Sequence, residues 1–191
     1  MTSVPSKLMT AEEFYDWCYR DENRDRNFEL ERGLAVELPL TTWQRGFVCG
    51  KLGFIFGEYT RAKRCGYVCT NNVGLILERN PDTVRGPDIA IFLENRRFED
   101  LEIGYVERLP AVVVEVLSLD DPFGEVVQRI NKYLEKGISM AWRVDPDSRM
   151  VFVHLPNQLP IVFEGEEELT GFEVLPDFRC KVSELFKSAG E

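Results

Sequence analysis

Hydrophobic and polar positions along the chain follow two different periods, and the change of period outlines the secondary structure. Apolar side chains recur every three or four residues in three segments that we predict to be helices, 10–19, 42–59 and 125–138. Three other segments are apolar runs bounded by Gly, Asn or Pro, which predicts strands, at 66–78, 86–93 and 110–118. The pattern therefore predicts a mixed sheet flanked by helices.

Cap and turn residues mark where several of these elements begin and end. Thr10 followed by Glu13 is the capping-box pattern at the start of the first helix. Two strand-like arms in 28–38 meet at a central Arg-Gly pair, which predicts a hairpin, and 140–156 predicts another. Gly137 is expected to end the third helix in a left-handed conformation. With no low-complexity tract and no convincing linker, we predict one domain over 1–191, of mixed α/β (α+β) class.

Composition and charge narrow the class of protein. The chain has 191 residues, 44% of them hydrophobic and 29% charged, which suits a single domain with a core. Its apolar runs are too short to span a bilayer and its start lacks a secretory pattern, so we expect a cytoplasmic protein without membrane contact. Five scattered cysteines predict reduced thiols. The net charge of −10 disfavours a protein that coats nucleic acid.

Two acidic residues interrupt the strand-like segments. Glu115 stands in the apolar run VVVEVLS, and Asp88 stands at the start of the segment GPDIAIFL. A charged carboxylate is unstable in apolar surroundings unless it has a partner. A divalent cation would be such a partner, because it prefers hard oxygen ligands and keeps them ionised. Ion pairs with Arg85 or Arg143 explain the two acids equally well, and both interpretations stay open on these positions alone.

The wider sequence resembles a known family. The resemblance runs through FELERGLAVEL, RGFVCGKL, VRGPDIAIF, LPAVVVEVLS, VVQRINKYLEKGI, AWRVDP and VLPDFRCKVSELF, in that order, over about residues 9–186. In these segments the chain is similar to the Uma-two-type family of restriction endonuclease-like proteins, a branch of the PD-(D/E)XK nuclease superfamily.

The resemblance implies a restriction endonuclease-like fold, a bound Mg²⁺ or Mn²⁺, and hydrolysis of phosphodiester bonds, with DNA as the expected substrate and a homodimer as the expected assembly. Asp88 matches the metal-binding aspartate of the family, and Glu115 matches its second acid. The main-chain carbonyl of Val116 would be a third ligand. Glu29, which matches an acid of the family, is either a further catalytic residue or a charged hairpin residue.

The chain departs from the family at three positions. The lysine two residues after the second acid is Leu117, and Arg129 stands where a lysine is expected on the following helix. Helical geometry places Arg129 at the edge of the buried face and Lys132 nearly opposite, so Arg129 is the better candidate to reach the site. Arg45 replaces a histidine found in many relatives. We expect the cations Arg45, Arg129 and Lys132 to be the candidates for binding phosphate.

These departures leave two functions open. An arginine binds phosphate but stays protonated, so it does not readily act as a general base. The chain is therefore expected to be either a Mg²⁺-dependent nuclease or a nuclease-fold binding or regulatory module with weak or no turnover. Trp17 and Trp43 are expected to be core or interface aromatics rather than platforms for stacking bases.

Overall fold

The computed structural model describes residues 8–118, 121–188 and 190, apart from the side chain of Phe123. Its three helices are α1 (Ala11–Cys18), α2 (Trp43–Lys63) and α3 (Phe123–Glu135). The first seven residues, which enter the expectation about secretion, lie outside the described chain.

All three predicted helices are present in the structure. Thr10 and Glu13 form the reciprocal hydrogen bonds of a capping box at the start of α1. The second helix runs one turn further than its sequence pattern indicates, ending at Arg64 in a left-handed conformation with φ 53°. Gly137 follows α3 with φ 104°, as expected for a residue that ends a helix.

Twelve short strands complete the fold. They are β1 (Asn27–Glu31), β2 (Leu34–Leu38), β3 (Tyr67–Thr70), β4 (Leu75–Glu78), β5 (Thr83–Arg85), β6 (Ile89–Phe92), β7 (Val112–Val116), β8 (Met140–Asp145), β9 (Met150–His154), β10 (Ile161–Glu164), β11 (Glu168–Gly171) and β12 (Leu175–Lys181). Both predicted hairpins are present, as the antiparallel pairs β1–β2 and β8–β9.

The main sheet has six strands in the order β10-β9-β8-β7-β6-β3. Strands β7 and β8 run parallel and are connected through α3, while the other neighbours in this sheet are antiparallel. A four-stranded sheet, β2-β1-β5-β4, and the hairpin β11–β12 lie beside it. The predicted mixed sheet with flanking helices and additional hairpins is thereby confirmed.

The two faces of the main sheet bury different helices. On one face Val48, Leu52 and Phe56 of α2 pack in a cluster with Trp142 and Ile89. On the other face α3 packs against the sheet through side chains that include Ile130 and Tyr133, in a cluster with Ala90 and Val113. Strand β7 lies between the helices and is buried along its whole length. Alternation along β7 places Glu115 on the α3 face with Val113, whereas Asp88 directly precedes β6 and its carboxylate is contacted from α2.

One expectation about local structure is wrong. The segment 66–78 is not one strand, because Asn71 and Asn72 take left-handed conformations with φ 67° and 59°, and the chain leaves the main sheet there. Strands β3 and β4 consequently belong to different sheets.

The two tryptophans expected in the core or at an interface differ in burial. Trp17 packs edge to face on Phe28 in a core cluster. Trp43 is 97% exposed, which leaves the interface as the alternative for it.

The five cysteines are free thiols, as the sequence predicts. Among the described residues, no helix combines the length and the apolar character required to cross a membrane.

The single histidine, His154, lies at the end of β9 with 6% of its surface exposed. Burial, together with the smaller effect of the positive charge of Arg143, lowers the pKa of His154 to about 4. In the unfolded chain a histidine titrates near ~6.5. Between these two values the unfolded state binds more protons than the folded state, so the folded state loses stability as the pH falls.

We therefore predict that His154→Gln reduces the dependence of stability on pH. Lowering the pH from ~7 to ~4.5 should reduce the free energy of unfolding of both proteins. The reduction should be smaller in the variant, by on the order of 2 kcal/mol. Urea denaturation at the two pH values measures the difference. An equal fall in both proteins would mean that His154 titrates normally in the folded state.

Candidate active site

The site lies where the start of β6 meets the end of β7. The two strands are antiparallel, with Ile89 opposite Val114, so Asp88 lies beside the carboxyl end of β7. The main-chain N–H of Val116 donates a hydrogen bond of 2.8 Å to Oδ2 of Asp88. The side chains of Asp88 and Glu115 are buried, with only 6% and 4% of each residue exposed. Strand pairing therefore holds the two acids on rigid backbone, as their positions in the sequence predict.

Arg45 neutralises Asp88. This arginine lies in the first turn of α2, three residues after the helix cap Thr42, whose side chain accepts a hydrogen bond from the Arg45 main-chain N–H. Its Nε is 3.1 Å from Oδ1 and 3.2 Å from Oδ2 of Asp88, and its Nη2 is 3.0 Å from Oδ1. The guanidinium and the N–H of Val116 together engage both carboxylate oxygens. Charge-assisted contacts of this kind fix the orientation of a carboxylate as well as its charge.

Glu115 is held from α3. The hydroxyl of Tyr133, a fully buried residue, donates a hydrogen bond of 2.7 Å to Oε1 of Glu115. The other oxygen, Oε2, lies 3.6 Å from Nη1 of Arg129. One helix thus supplies both the hydrogen-bond donor and the positive charge.

Glu29 of β1 is the third buried acid, with 2% of its surface exposed. Its Oε1 accepts a hydrogen bond of 2.9 Å from the N–H of Gly86, and its Oε2 lies 2.6 Å from Nη1 of Arg85. Nη2 of Arg129 lies 3.3 Å from the same Oε2. Arg129 therefore bridges Glu29 and Glu115, and three arginines face three acids across the site.

Burial raises the pKa of two of these acids. The pKa of Glu115 is raised to about 7, chiefly by burial and also by the charges of Asp88 and Glu29, against the lowering effect of the Arg129 charge. Burial also raises the pKa of Asp88, although Arg45 opposes that shift. The pKa of Arg129 is raised because Glu115 and Glu29 outweigh a burial effect that alone would lower it. Arg129 is therefore a permanent cation and not a proton acceptor.

A cavity of about 70 Å³ opens onto this cluster. Its wall includes the side chains of Glu115, Arg129 and Arg45, with Gly86 and Asn72 beside them. Asp121 and Glu125 also line the cavity, so three acids and two cations among the described residues face a small ligand there.

The structure brings together five of the residues that the sequence nominates, namely Glu29, Arg45, Asp88, Glu115 and Arg129. The carbonyl-bearing residue Val116 lies beside them. Lys132 is elsewhere, with its Nζ 2.5 Å from Oε1 of Glu78, where Lys136 also approaches at 3.2 Å. The helical geometry that favours Arg129 over Lys132 therefore matches their placement.

Three contributors to the site were not identified as such from the sequence. Tyr133 was assigned to the packing face of its helix, and nothing in the pattern indicates that its hydroxyl meets a carboxylate. Arg85 was considered as a partner for Asp88 or Glu115 but contacts Glu29 instead. Gly86 contributes a main-chain N–H, which no side-chain pattern reveals. Arg143, the other suggested partner, lies over the ring of Phe152 at 3.7 Å.

The carboxylate and carbonyl oxygens of the site are of the kind that bind a divalent cation, but those of Asp88 are already paired with an arginine. Asp88 and Glu115 offer hard carboxylate ligands, and the Val116 carbonyl is adjacent in the chain. Within the described residues, however, no three acidic, histidine or cysteine side chains are grouped closely enough to hold an ion. Arg45 already engages both oxygens of Asp88. The donor chemistry therefore fits a cation, on the condition that Arg45 moves away from Asp88.

Comparisons with known proteins agree with this architecture. The sequence profile of the Uma2 family, described as "Putative restriction endonuclease", matches residues 11–183. The fold is similar to the crystal structure of "a putative nuclease belonging to DUF820" from Anabaena variabilis, with a TM-score of 0.78. The two chains are 20% identical, and the match covers 93% of this chain and 97% of the other, so this likeness concerns the fold alone. No curated protein matches the sequence.

The position of Arg129 between Glu29 and Glu115 allows a test of whether its charge stabilises the two buried acids. We predict that Arg129→Ala lowers the free energy of unfolding by about 3 kcal/mol, because it leaves two buried carboxylates close together without their shared cation. Adding Glu115→Gln should recover more than half of that loss, since glutamine is uncharged and still accepts from Tyr133. Guanidinium denaturation in the presence of a chelator measures both changes.

Lys132→Ala is the matched control for that experiment, since Lys132 is a cation on the same helix. Its side chain is 35% exposed and pairs with Glu78. The control should lose no more than about 1 kcal/mol. If the double variant is no more stable than Arg129→Ala, the arginine stabilises the fold through packing and not through charge.

Proposed function

The chain belongs to the Uma2 family of restriction endonuclease-like proteins, and on that premise we propose that it is a divalent-metal-dependent nuclease that hydrolyses phosphodiester bonds in DNA. The observation that carries the proposal is the pair of buried acids, Asp88 and Glu115, on adjoining ends of β6 and β7. A cavity with two arginines in its wall opens beside them. We further propose that the protein acts in the cytoplasm.

In this proposal Asp88 and Glu115 hold a Mg²⁺ or Mn²⁺ ion together with the carbonyl of Val116. A divalent cation at such a site polarises the phosphate and lowers the pKa of a bound water. Tyr133 directs Oε1 of Glu115 and leaves Oε2 facing the cavity side of Arg129. The N–H of Val116 keeps Oδ2 of Asp88 in place whether or not Arg45 is bound.

Arg129 and Arg45 bind the phosphate group in this proposal. Arginine contacts phosphate through parallel N–H donors, so it orients the group and stabilises negative charge that develops during cleavage. Arg129 reaches the cavity while it bridges Glu29 and Glu115, which places its charge at the wall where a phosphate would enter. Because Arg129 stays protonated, the proton of an attacking water must leave to another acceptor, such as bulk solvent.

DNA is the proposed substrate because two arginines converge on one small cavity in a chain whose net charge is −10. Because Glu115, Asp121 and Glu125 also line the cavity, a phosphate would be held there by the two arginines together with a bound metal ion. We propose a homodimer as the active form, since cleavage of both strands of a duplex is served by two symmetric sites.

A specific observation favours a second function. Arg45 satisfies Asp88 without a metal, and arginine stands in place of the expected lysine at position 129. A protein with these features is also suited to bind nucleic acid with little or no cleavage. We propose this binding or regulatory module as the alternative.

Cleavage assays distinguish the two functions. We expect the native chain to nick supercoiled plasmid with Mg²⁺ or Mn²⁺ and not with a chelator, and we expect Asp88→Asn to reduce the rate by at least ~100-fold, because it removes one of the two charged metal ligands. Lys132→Ala, which alters a cation away from the cavity, should cut at the native rate. If the native chain binds DNA and does not nick it with either metal, the binding module is the better description.

The contact between Arg45 and Asp88 makes a separate prediction about metal affinity. Arg45→Gln should raise the affinity for Mn²⁺ by about tenfold, because the cation no longer competes with a guanidinium for Asp88. Calorimetric titration without nucleic acid measures this change, and Arg85→Gln, which alters an arginine bound to Glu29, is the control. An unchanged or lower affinity in Arg45→Gln would mean that Arg45 does not compete with the metal.

A further inference from the structure

Helix α2 contains a short sequence repeat whose glycine and first phenylalanine positions lie outside the hydrophobic core. Residues 46–50 and 53–57 both read Gly-Phe-x-x-Gly, and the two copies are seven residues apart. The phenylalanines of the repeat, Phe47 and Phe54, are 44% and 68% exposed, and Trp43 one turn earlier is 97% exposed. A seven-residue apolar repeat on one helix is typical of contact with a second helix.

Two of the four glycines, Gly50 and Gly57, have no steric explanation among the described residues, whereas a Cβ atom at Gly53 would lie 3.3 Å from Thr70. A Cβ atom added at Gly50 or at Gly57 would meet no other atom within 4 Å. Glycine weakens the interior of a helix relative to alanine. The backbone of α2 is therefore left open to close approach from outside the described chain, at some loss of helix stability.

Glycine and aromatic residues lie on separate sides of the exposed face. Steps of ~100° per residue from the buried Leu52 divide that face into two parallel stripes. The glycine stripe consists of Gly46, Gly50, Gly53 and Gly57. The aromatic stripe consists of Phe47 and Phe54, and Trp43 and Arg61 lie on the line between the stripes.

We propose that this face of α2 binds a second copy of the chain about a two-fold axis parallel to the helix. Rotation about that axis lays the aromatic stripe of each copy on the glycine stripe of the other. The two helices then lie side by side without an offset along their axes. Phe47 of one copy lies between Gly46 and Gly50 of the other, and Phe54 lies between Gly53 and Gly57. The same surface is then used by both copies, as a two-fold dimer requires.

The area and charge of the face fit such a partner. Three aromatics with these exposures contribute roughly 400 Å², about half of the ~800 Å² that each partner buries in a standard interface. Cations outnumber acids on α2, but three of them are paired within the chain: Arg45 with Asp88, Arg61 with Glu58 and Lys63 with Asp177. Lys51 lies over the ring of Phe47. A surface for nucleic acid would instead leave such cations available to phosphate. The dimer is expected to dissociate in the micromolar range.

Sedimentation analysis of the full chain across the micromolar range tests the proposal without nucleic acid or metal, so its result is independent of nuclease activity. The native chain should form dimers. Phe54→Glu and Gly50→Leu should each raise the dissociation constant by about tenfold or more. Gly50→Leu is the sharper variant, because a side chain at that position has free space in the monomer and should leave its melting temperature unchanged or higher.

Phe98→Glu is the matched control, since Phe98 is an exposed phenylalanine in a short 3-10 helix away from α2, with 84% of its surface exposed. This variant should dimerise like the native chain. A monomeric native chain, or a dimer that neither α2 variant weakens, overturns the proposal. A monomer that loses oligonucleotide binding in Phe54→Glu would assign the face to nucleic acid instead.

The direction of the axis has its own test. A parallel axis brings Arg61 of one copy close to Arg61 of the other, so Arg61→Cys should form a dimer linked by a disulfide under mild oxidation. The native chain, with its five free thiols, is the control and should not be linked in this way. A variant that still sediments as a dimer but does not form the disulfide overturns the parallel arrangement.

Discussion

The burial of three carboxylates beside three arginines is the constraint on which the centre of this protein depends. Glu29 and Glu115 lie in β1 and β7, Asp88 directly precedes β6, and none of the three could remain charged there without compensation. Two of the compensating arginines, Arg45 and Arg129, come from helices on opposite faces of the main sheet. Docking of both helices is therefore coupled to the neutralisation of the acids, and fold and site stabilise each other.

Such a cluster is poorly explained as a device for stability alone. Apolar residues of similar volume often stabilise a protein as well as a buried ion pair does. Glu115 in particular lies in a strand that is otherwise wholly apolar, and its nearest guanidinium nitrogen is 3.6 Å away. An incompletely compensated acid beside a small cavity is what a binding or catalytic site requires. Membership of a nuclease-related family gives that arrangement its most direct chemical meaning.

The sequence alone was sufficient to assign residues to helices and strands where a local pattern of apolar and polar positions identifies the element. The period of apolar positions identified α1, α2 and α3, and the strand-like segments around Asp88 and Glu115 identified β6 and β7. Contacts between distant segments could not be placed in this way. The hydrogen bond from Tyr133 to Glu115 depends on how α3 packs against β7, and the pairing of Arg85 with Glu29 depends on contact between β1 and β5. The division of 66–78 between two sheets depends on two left-handed asparagines, whose conformation the surrounding fold selects.

The order of these residues along the chain also governs when the site can exist. The first of its charged residues along the chain is Glu29 in β1, and the last is Arg129 in α3. During synthesis the amino-terminal segments leave the ribosome first, so Glu29, Asp88 and Glu115 emerge before the cation that two of them share. A nascent chain therefore cannot assemble the charge cluster until α3 has emerged. Any activity that the cluster supports is consequently withheld until most of the domain has been made.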